Sequence, residues 1–437
     1  MIKQPRGINL GFAAGIGAVA SLLLGTVTIN DALRAFRDIW DAALAFVGIV
    51  TFSATLDAMG FFRWAALKVA RLANGSGLRL YFYISLLAAS VSILFANDSA
   101  VLILTPIVLE IVRQLKIEKE GRLAYLFAAG LIADTAAMPL ITSNPVNIVS
   151  ADFFGYTFIE HLAFMGPVAV VTIAISLVVV YMFFRRTIPP SYSSTLVDTL
   201  LIDGSIIRPQ RLKACLITLF AIDLGYVWAS LNRIPVSFVI CTGSIALLVI
   251  FSVTKRKKFA VMEERIDVTH ILRRVNWDIL VFMVGIFLVV QGLRHAGAID
   301  LFASLLERAS ALPSVLSVLA PSLIVTVSAS AMNNWPMTML GLLSIRQASA
   351  VYGLSNNAFT GLIFSNIIGN NLGPHFFPLG SLAILMWMNT MKAKGLTIRL
   401  IDYLRVGSVL SILEVAAASI VLWIEQNYLQ LSLSVKP

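Results

Sequence analysis

The chain has few charged residues and few cysteines for its length. Charged side chains make up 13% of the 437 residues, about half of the share found in soluble proteins, whereas 58% are hydrophobic. The two cysteines, Cys215 and Cys241, fall in different apolar stretches, so neither a disulfide framework nor a thiolate metal site is predicted. This composition indicates a membrane protein.

Signature sequences of hydrolases and of nucleotide-binding enzymes are also missing. The chain contains no His-Glu-x-x-His, Gly-x-Ser-x-Gly or Walker sequence. We therefore expect a protein that is not an enzyme, with no catalytic residues, no cofactor and no bound metal. The ten excess positive charges do not indicate nucleic acid, because in a membrane protein basic residues mark the loops of one side.

Apolar stretches of the length needed to cross a bilayer recur along the chain. A transmembrane helix needs roughly 17 to 25 such residues. The candidates lie at 8–29, 39–56, 161–184, 214–231, 234–254, 277–293, 313–332 and 407–424. The first is too long for the apolar core of a signal peptide, so we expect it to persist as a helix. The sequence predicts an all-α polytopic protein in a lipid bilayer.

Basic residues are unevenly distributed between the predicted loops. Most Lys and Arg residues fall on one side, including those of the loops at 63–79, 113–122, 185–213 and 255–276. By the positive-inside rule, that side is cytoplasmic. We expect an inner-membrane protein whose N-terminus is cytoplasmic and whose C-terminus is periplasmic.

Two of the apolar stretches contain a polar break. Phe95-Ala96-Asn97-Asp98-Ser99 interrupts the stretch at 78–113, and Ala331-Met332-Asn333-Asn334-Trp335-Pro336 interrupts the stretch at 313–354. Asn and Asp compete for backbone hydrogen bonds and Pro removes a donor, so a continuous helix is disfavoured. Each stretch is predicted to form a re-entrant helical hairpin whose tip lies inside the membrane. Two spanning helices with a polar loop remain the alternative.

An internal repeat appears when the chain is shifted by 237 positions. Trp40-Asp41, at a predicted helix start, falls on Trp277-Asp278, while Asn97 falls on Asn334 and Asp134 on Asn371. The matched segments run in opposite directions in the predicted topology, so the repeats are inverted. We predict a first repeat at 1–190, a cytoplasmic loop with a linking transmembrane helix at 191–231, and a second repeat at 232–437.

Inverted repeats with interrupted helices are typical of secondary transporters that bind their solute near the bilayer midplane. Four segments should converge there: the two hairpin tips and two interrupted helices at 133–145 and 369–381. Their amide and hydroxyl groups suit a small polar solute. The predicted substrate-binding residues are Asn97, Ser99, Thr135, Ser143, Asn144, Asn333, Asn334, Asn370, Asn371 and Ser381. The alternative is that these side chains only cap the ends of broken helices.

Asp98 and Asp134 are the candidates for proton coupling. Both lie at breaks of the first repeat, and a charge inside a membrane costs about 2.5 to 3.5 kcal/mol on insertion scales. A carboxylate that gains and loses a proton as water access changes sides would exchange protons for solute. A permanently ionised helix cap is the alternative. Elsewhere, Glu414 is expected to pair with a neighbouring helix, and His375 lies close to the second interrupted helix.

The motifs resemble those of the arsenical pump membrane proteins, which are arsenite and antimonite exporters of the ion transporter superfamily. The similarity covers nearly the whole chain and is carried by the stretches at 96–106, 133–154, 332–336 and 369–383. It implies proton-driven export of arsenite and antimonite, which as neutral trihydroxides need no counter-charge at the site. In some relatives a cytosolic arsenite-stimulated ATPase takes part, and the loops at 185–213 and 255–276 would be its docking surfaces.

The chain departs from the family pattern at two of these positions. Asn371 stands where the family usually has an aspartate, and Trp335 stands where Met is common. If that aspartate carries a proton in relatives, coupling here must depend on another group. A sodium/proton antiporter or a dicarboxylate carrier on the same scaffold remains the alternative function, because a fold does not fix the substrate. No Lys or Arg lies at a break, which disfavours the anion carrier.

Overall fold

The chain is almost entirely helical in the computed structural model, which describes residues 10–97, 100–193, 197, 207–254, 267–273, 275 and 277–435. Outside helices and turns, these residues form one isolated bridge, between Ser76 and Ser191. Seven of the described helices are long and apolar enough to cross a membrane. Side chains on their outer faces are apolar and exposed, as Val170, Phe220 and Ile245 are, which is the surface that lipid covers.

Nine helices form the described part of the chain up to residue 184. They are α1 (Leu10–Leu23), α2 (Ile29–Ala58), α3 (Phe61–Leu72), α4 (Gly77–Phe95), α5 (Thr105–Gln114), α6 (Lys119–Phe127), α7 (Ala133–Thr135), α8 (Pro145–Phe154) and α9 (Phe158–Phe184). Short π-helical segments, Ala100–Leu104 and Ala128–Ile132, precede α5 and join α6 to α7, and a 3₁₀ turn, Ile141–Ser143, precedes α8.

Ten helices follow in the described residues from 207 onward. They are α10 (Pro209–Leu231), α11 (Val236–Thr254), α12 (Val268–Arg273), α13 (Trp277–His295), α14 (Ala298–Ser310), α15 (Leu316–Met332), α16 (Asn334–Tyr352), α17 (Asn356–Phe376), α18 (Leu382–Ala393) and α19 (Leu400–Asn427). A 3₁₀ turn, Pro378–Gly380, separates α17 from α18.

The same local structures recur at a spacing of 237 residues. A left-handed glycine precedes both α3 and α14, at Gly60 and Gly297. The hairpin breaks at Ala96 and Asn333 share one backbone conformation, and the 3₁₀ turns 141–143 and 378–380 lie in register. The predicted fold class, all-α with two repeats, hairpins and interrupted helices, is confirmed. The three unit boundaries stay a prediction.

The two repeats pack into one another. α11 runs along α2, where the Ser244 hydroxyl donates to the Gly48 carbonyl oxygen at 2.6 Å, and α1 runs along α13. α9 and α19, which end the two repeats, also pack together. Two arginines tie the hairpins to the far repeat: Arg113 in the last turn of α5 donates to the Lys394 carbonyl, and Arg346 on α16 donates to the Phe153 carbonyl at 3.3 Å.

The first helix is shorter than the span that the sequence predicts. The sequence predicts one helix over 8–29, but α1 ends at Leu23 and the chain turns at Gly25, where φ is +68°. α2 then starts at Ile29, because Thr28 and Asp31 form a capping box. α2 is therefore longer than expected, and Trp40-Asp41 lies inside it rather than at a helix start.

Candidate functional site

The two hairpin tips and the two helix breaks meet at one cleft. Asn97 from the first tip and Asn334 from the second line it, together with Asn144 and Ser381 from the two breaks. Its empty volume is about 300 Å³, part of which is open to the outside, and Ile279 of α13 closes another part of the wall. These four polar residues form two pairs at the 237-residue spacing, so the cleft lies on the axis that relates the repeats.

Both hairpin tips have a backbone conformation that favours glycine, yet neither carries one. Ala96 has φ 65° and ψ 153°, and Asn333 has φ 86° and ψ 149°. A non-glycine residue in this region costs about 1 to 3 kcal/mol and persists only where the surroundings hold it. Asn333 is held by its side chain, which accepts from the Trp335 backbone N–H and donates to the Gly380 carbonyl oxygen.

Two helix N-termini, one from each repeat, point at the cleft. Asn144 caps α8 by accepting from the Val146 backbone N–H at 3.2 Å, and Ser381 caps α18 by accepting from the Ile384 N–H at 3.3 Å. The N-terminal end of a helix carries a partial positive charge and backbone N–H groups that attract oxygen ligands. The cleft therefore offers donors to a polar solute without a basic side chain in its described lining.

The breaks in the interrupted helices are narrower than the sequence predicts. α7 includes Asp134, and the α-helical backbone ends only at Thr135, after which turns and the 3₁₀ turn Ile141–Ser143 lead to Asn144. α17 continues through Asn371 as far as Phe376, so the second break covers only 377–381. The glycines and Pro374 are accommodated inside α17 because the surrounding helices bury that segment completely.

A ladder of three buried amides crosses between the repeats behind the cleft. Asn144 donates to Oδ1 of Asn371 at 2.9 Å, and Nδ2 of Asn371 donates to Oδ1 of Asn147 at 3.0 Å. The orientation of Asn147 is fixed because its own amide group donates to the carbonyl oxygens of Ala137 and Leu140. The ladder therefore requires a donor at position 371, which Asn supplies and an ionised aspartate cannot.

A buried network of titratable groups begins one hydrogen bond behind the cleft. Nδ2 of Asn97 donates to Oδ1 of Asp134 at 2.8 Å, and the side chain of Asp134 is 3% exposed. Oδ2 of Asp134 lies 3.4 Å from Nε2 of His375. Nδ1 of His375 lies 2.8 Å from Oε2 of Glu414 on α19. His375 and Glu414 are fully buried, so the network has no direct contact with solvent.

Glu414 has further donors on the side away from the imidazole. The hydroxyl of Thr135 donates to its Oε1 at 2.7 Å, and the hydroxyl of Ser176 on α9 donates to the same oxygen. Glu414 therefore joins α7, α9, α17 and α19 at one point. The expectation that it pairs with a neighbouring helix is met by the imidazole of His375.

The structure divides the predicted substrate-binding residues into three groups. Asn97, Asn144, Asn334 and Ser381 line the cleft. Away from it, Thr135 binds Glu414, Ser143 donates to the Ile93 carbonyl, Asn333 caps its hairpin tip, Asn370 donates to Asn366, and Asn371 forms the ladder. Asp98 and Ser99 lie outside the described residues. Asn334 is notable because its buried Oδ1 accepts no hydrogen bond.

Metal or cofactor binding is not favoured by the described side chains. Among them, no group of three His, Cys, Asp or Glu residues is arranged to hold a metal ion. The imidazole of His375 separates Asp134 from Glu414, because each ring nitrogen faces a different carboxylate. The three groups therefore do not converge on a common point.

Similarity to known proteins agrees with this architecture. The family model described as "Arsenical pump membrane protein" matches residues 1–425. The arsenical pump membrane protein of Escherichia coli is 38% identical over 413 residues, covering 94% of this chain and 92% of its own length, and that of Yersinia enterocolitica is 38% identical over 412 residues, with the same coverage.

A distant solved structure shares the fold. The YdaH transporter of Alcanivorax borkumensis, whose crystal structure is described as having an unusual topology, superposes with a TM-score of 0.58 at 12% identity, covering 91% of this chain and 87% of its own. Taken with the family match over residues 1–425 and the relatives at 38% identity, the chain belongs to the arsenical pump membrane protein family.

Proposed function

We propose that this membrane transporter exports arsenite and antimonite from the cytoplasm in exchange for protons. The observation that carries the proposal is the placement of Asp134, a buried carboxylate one hydrogen bond behind a polar cleft between two repeats. The names of the relatives support an arsenical as the solute. The chemistry of the cleft supports the neutral trihydroxide as the form in which the arsenical binds.

A small neutral polyol matches the groups that line the cleft. Amide and hydroxyl groups of Asn97, Asn144, Asn334 and Ser381 can accept and donate hydrogen bonds, and the orphaned Oδ1 of Asn334 provides an acceptor for a solute hydroxyl. Capture by thiols is not required, since Cys215 and Cys241 lie on α10 and α11 and are not part of the lining. An anion such as a dicarboxylate would leave its charge without a basic partner in the described lining.

The hydrogen bond between Asn97 and Asp134 supports exchange with protons. A solute hydroxyl that donates to the carbonyl oxygen of Asn97 polarises the amide, and its N–H then donates more strongly to Asp134. A stronger donor favours the ionised carboxylate, so solute binding releases a proton and proton binding weakens solute binding. Competition of this kind gives antiport when the cleft opens to alternate sides.

The proposed orientation has the N-terminus in the cytoplasm and the C-terminus in the periplasm of an inner membrane, as the distribution of basic loops indicates. A cytosolic ATPase subunit would dock on the basic loops at 185–213 and 255–276. The central parts of both loops, 194–196, 198–206 and 255–266, lie outside the described residues.

The proposal is tested by arsenite and antimonite uptake into everted membrane vesicles energised with a proton gradient, with and without an uncoupler. Accumulation that the uncoupler abolishes is expected. Asp134→Asn should eliminate accumulation against a gradient, because an amide carries no exchangeable proton, whereas Asp134→Glu should keep part of it. Asp300→Asn is the matched control, since Asp300 is exposed on α14 and an amide still binds Gln347.

Two results would contradict the proposal. Full accumulation by Asp134→Asn would remove the carboxylate from coupling. Uptake of sodium or citrate without uptake of arsenite would instead indicate a sodium/proton antiporter or a dicarboxylate carrier with the same architecture.

A further inference from the structure

The network behind the cleft contains two carboxyl groups and one imidazole that are buried from solvent. Asp134 on α7 and Glu414 on α19 face opposite nitrogens of His375 on α17. The hydroxyl of Tyr403 on α19 donates to the Pro374 carbonyl beside the imidazole, at 2.9 Å. In the described residues packed around His375, the two carboxylates are its ionisable partners and the imidazole is the group that can balance their charge.

The two ends of the imidazole differ in their hydrogen bonding. Nδ1 of His375 makes a 2.8 Å contact with Glu414, whose other oxygen accepts from Thr135 and Ser176. Glu414 thus accepts hydrogen bonds from three donors, and Nδ1 keeps its hydrogen to serve as one of them. At the other end, Nε2 of His375 and Oδ2 of Asp134 are both buried without a hydrogen bond, although they lie 3.4 Å apart.

A gap of this length between an orphaned nitrogen and an orphaned oxygen is a place for one proton. With the proton present, the imidazolium lies between two carboxylates and the cluster carries one net negative charge. With the proton absent, the imidazole is neutral and the cluster carries two negative charges, which a buried site tolerates only with additional donors. Asn97, which lines the cleft, supplies such a donor to Asp134.

We propose that the exchanged proton is held between Nε2 of His375 and Oδ2 of Asp134, and that Glu414 positions the imidazole through its other nitrogen. The assignment rests on the proposed exchange of solute for protons and names the residues that perform it. His375 is then the proton-holding residue and Glu414 is a positioning residue. When the proton is bound, the hydrogen bond from Asn97 stabilises Asp134 less, whereas solute binding strengthens that hydrogen bond. The proton and the solute therefore weaken each other's binding.

The test uses His375→Gln and Glu414→Gln in the full chain, purified and reconstituted into liposomes. Two assays are compared: arsenite accumulation driven by a pH gradient, and exchange of labelled for unlabelled arsenite at equal pH on both sides. His375→Gln should lose accumulation and keep exchange. Exchange by the wild type should fall as the pH is lowered, because the proton competes with the solute, and this dependence should disappear in His375→Gln and shift in Glu414→Gln.

His161→Gln is the matched control. His161 is also fully buried, and its Nε2 lies 2.8 Å from the Met138 carbonyl oxygen, but it contacts neither carboxylate of the network. The control should keep both the accumulation and the pH dependence of exchange. It separates the loss of a proton-holding group from the loss of any buried imidazole.

Three outcomes would overturn the inference. The first is accumulation by His375→Gln at the wild-type level. The second is the loss of both exchange and accumulation in folded His375→Gln, which would assign His375 to solute binding or to structure. If His375→Gln is not recovered folded, the test uses Glu414→Gln, because its amide oxygen still accepts from Thr135 and Ser176. The third outcome is a pH dependence of exchange in Glu414→Gln that is the same as in the wild type. Absence of proton-dependent arsenite transport by the wild type would instead defeat the proposed function.

Discussion

Replacing Asn371 by aspartate, the residue usual in the family, should destabilise this protein, because the amide ladder requires a donor at that position. Nδ2 of Asn371 donates to Oδ1 of Asn147 at 3.0 Å and to the Ile367 carbonyl oxygen at 2.9 Å. In Asn371→Asp, a carboxylate oxygen takes the place of Nδ2 and faces two acceptors. Asn147 cannot turn round to donate, since both hydrogens of its amide are used by the backbone.

The expected magnitude comes from the burial of the ladder. Asn371 is 2% exposed, so an ionised aspartate there is an uncompensated buried charge, which costs about 3 to 5 kcal/mol. One donor survives, because Asn144 still donates to the other oxygen at 2.9 Å. When the carboxyl is protonated, it can donate to Asn147, and the remaining loss is a single hydrogen bond of about 1 kcal/mol. The penalty should therefore grow as the pH rises.

The difference in stability between Asn371→Asp and the wild type is measured by thermal unfolding in detergent. The loss of the monodisperse peak in size-exclusion chromatography reports the unfolding. Asn371→Asp should melt well below the wild type at about pH 8 and closer to it at about pH 5, where carboxyl groups begin to protonate. Asn357→Asp on the exposed first turn of α17 is the control and should melt like the wild type at both pH values. Equal melting of Asn371→Asp and the wild type at both would refute the requirement for a donor.

Three further substitutions test local features by the same melting assay. Ala96→Gly should stabilise by about 1 kcal/mol, since relief of backbone strain exceeds the entropic cost of glycine. Gly341→Ala should destabilise by about 1 to 3 kcal/mol, because its Cβ would lie 2.7 Å from Cγ of Asn366. Arg346→Lys should cost about 1 to 2 kcal/mol, because Lys cannot both stack on Phe153, whose ring centroid lies 3.7 Å from the guanidinium, and donate to its carbonyl.

Each of these has a control elsewhere in the chain. Ala88→Gly in the buried middle of α4 should destabilise, in contrast to Ala96→Gly. Gly15→Ala should be tolerated, since its Cβ would meet Val281 at an ordinary 3.6 Å. Arg405→Lys, exposed on α19, should be neutral. A variant that behaves like its control would show that the named contact or strain does not determine stability at that place.

Features that depend on local chemistry could be predicted from the sequence. The hairpin breaks fall at Ala96 and Asn333, as expected from the Asn and Pro residues that follow. The 237-residue spacing is found again in the 3₁₀ turns and in Gly60 and Gly297. Because pseudo-symmetric breaks must meet near the axis that relates the repeats, the polar lining of the cleft could also be anticipated.

Features that depend on packing could not be predicted from the sequence. The helix α17 continues through its glycines and Pro374 because neighbouring helices bury it, which no local pattern reveals. His375 and Glu414 lie 39 residues apart and on different helices, so their contact is a product of the fold. The available signals were a carboxylate in the apolar stretch of α19 and a histidine just after the Gly-Pro pair of α17, neither of which identifies the other as its partner.

The pseudo-equivalent positions 134 and 371 have diverged in chemistry. Asp134 is a carboxyl group that faces an imidazole, whereas Asn371 is an amide held between two other amides. The two-fold rotation that relates inverted repeats therefore holds for the backbone and not for these side chains. Two conformations that interchange the roles of the repeats would place a carboxyl group and an amide in equivalent surroundings. The side chains thus break the symmetry of the backbone, and the inward-open and outward-open forms of an exchange cycle would not be equivalent.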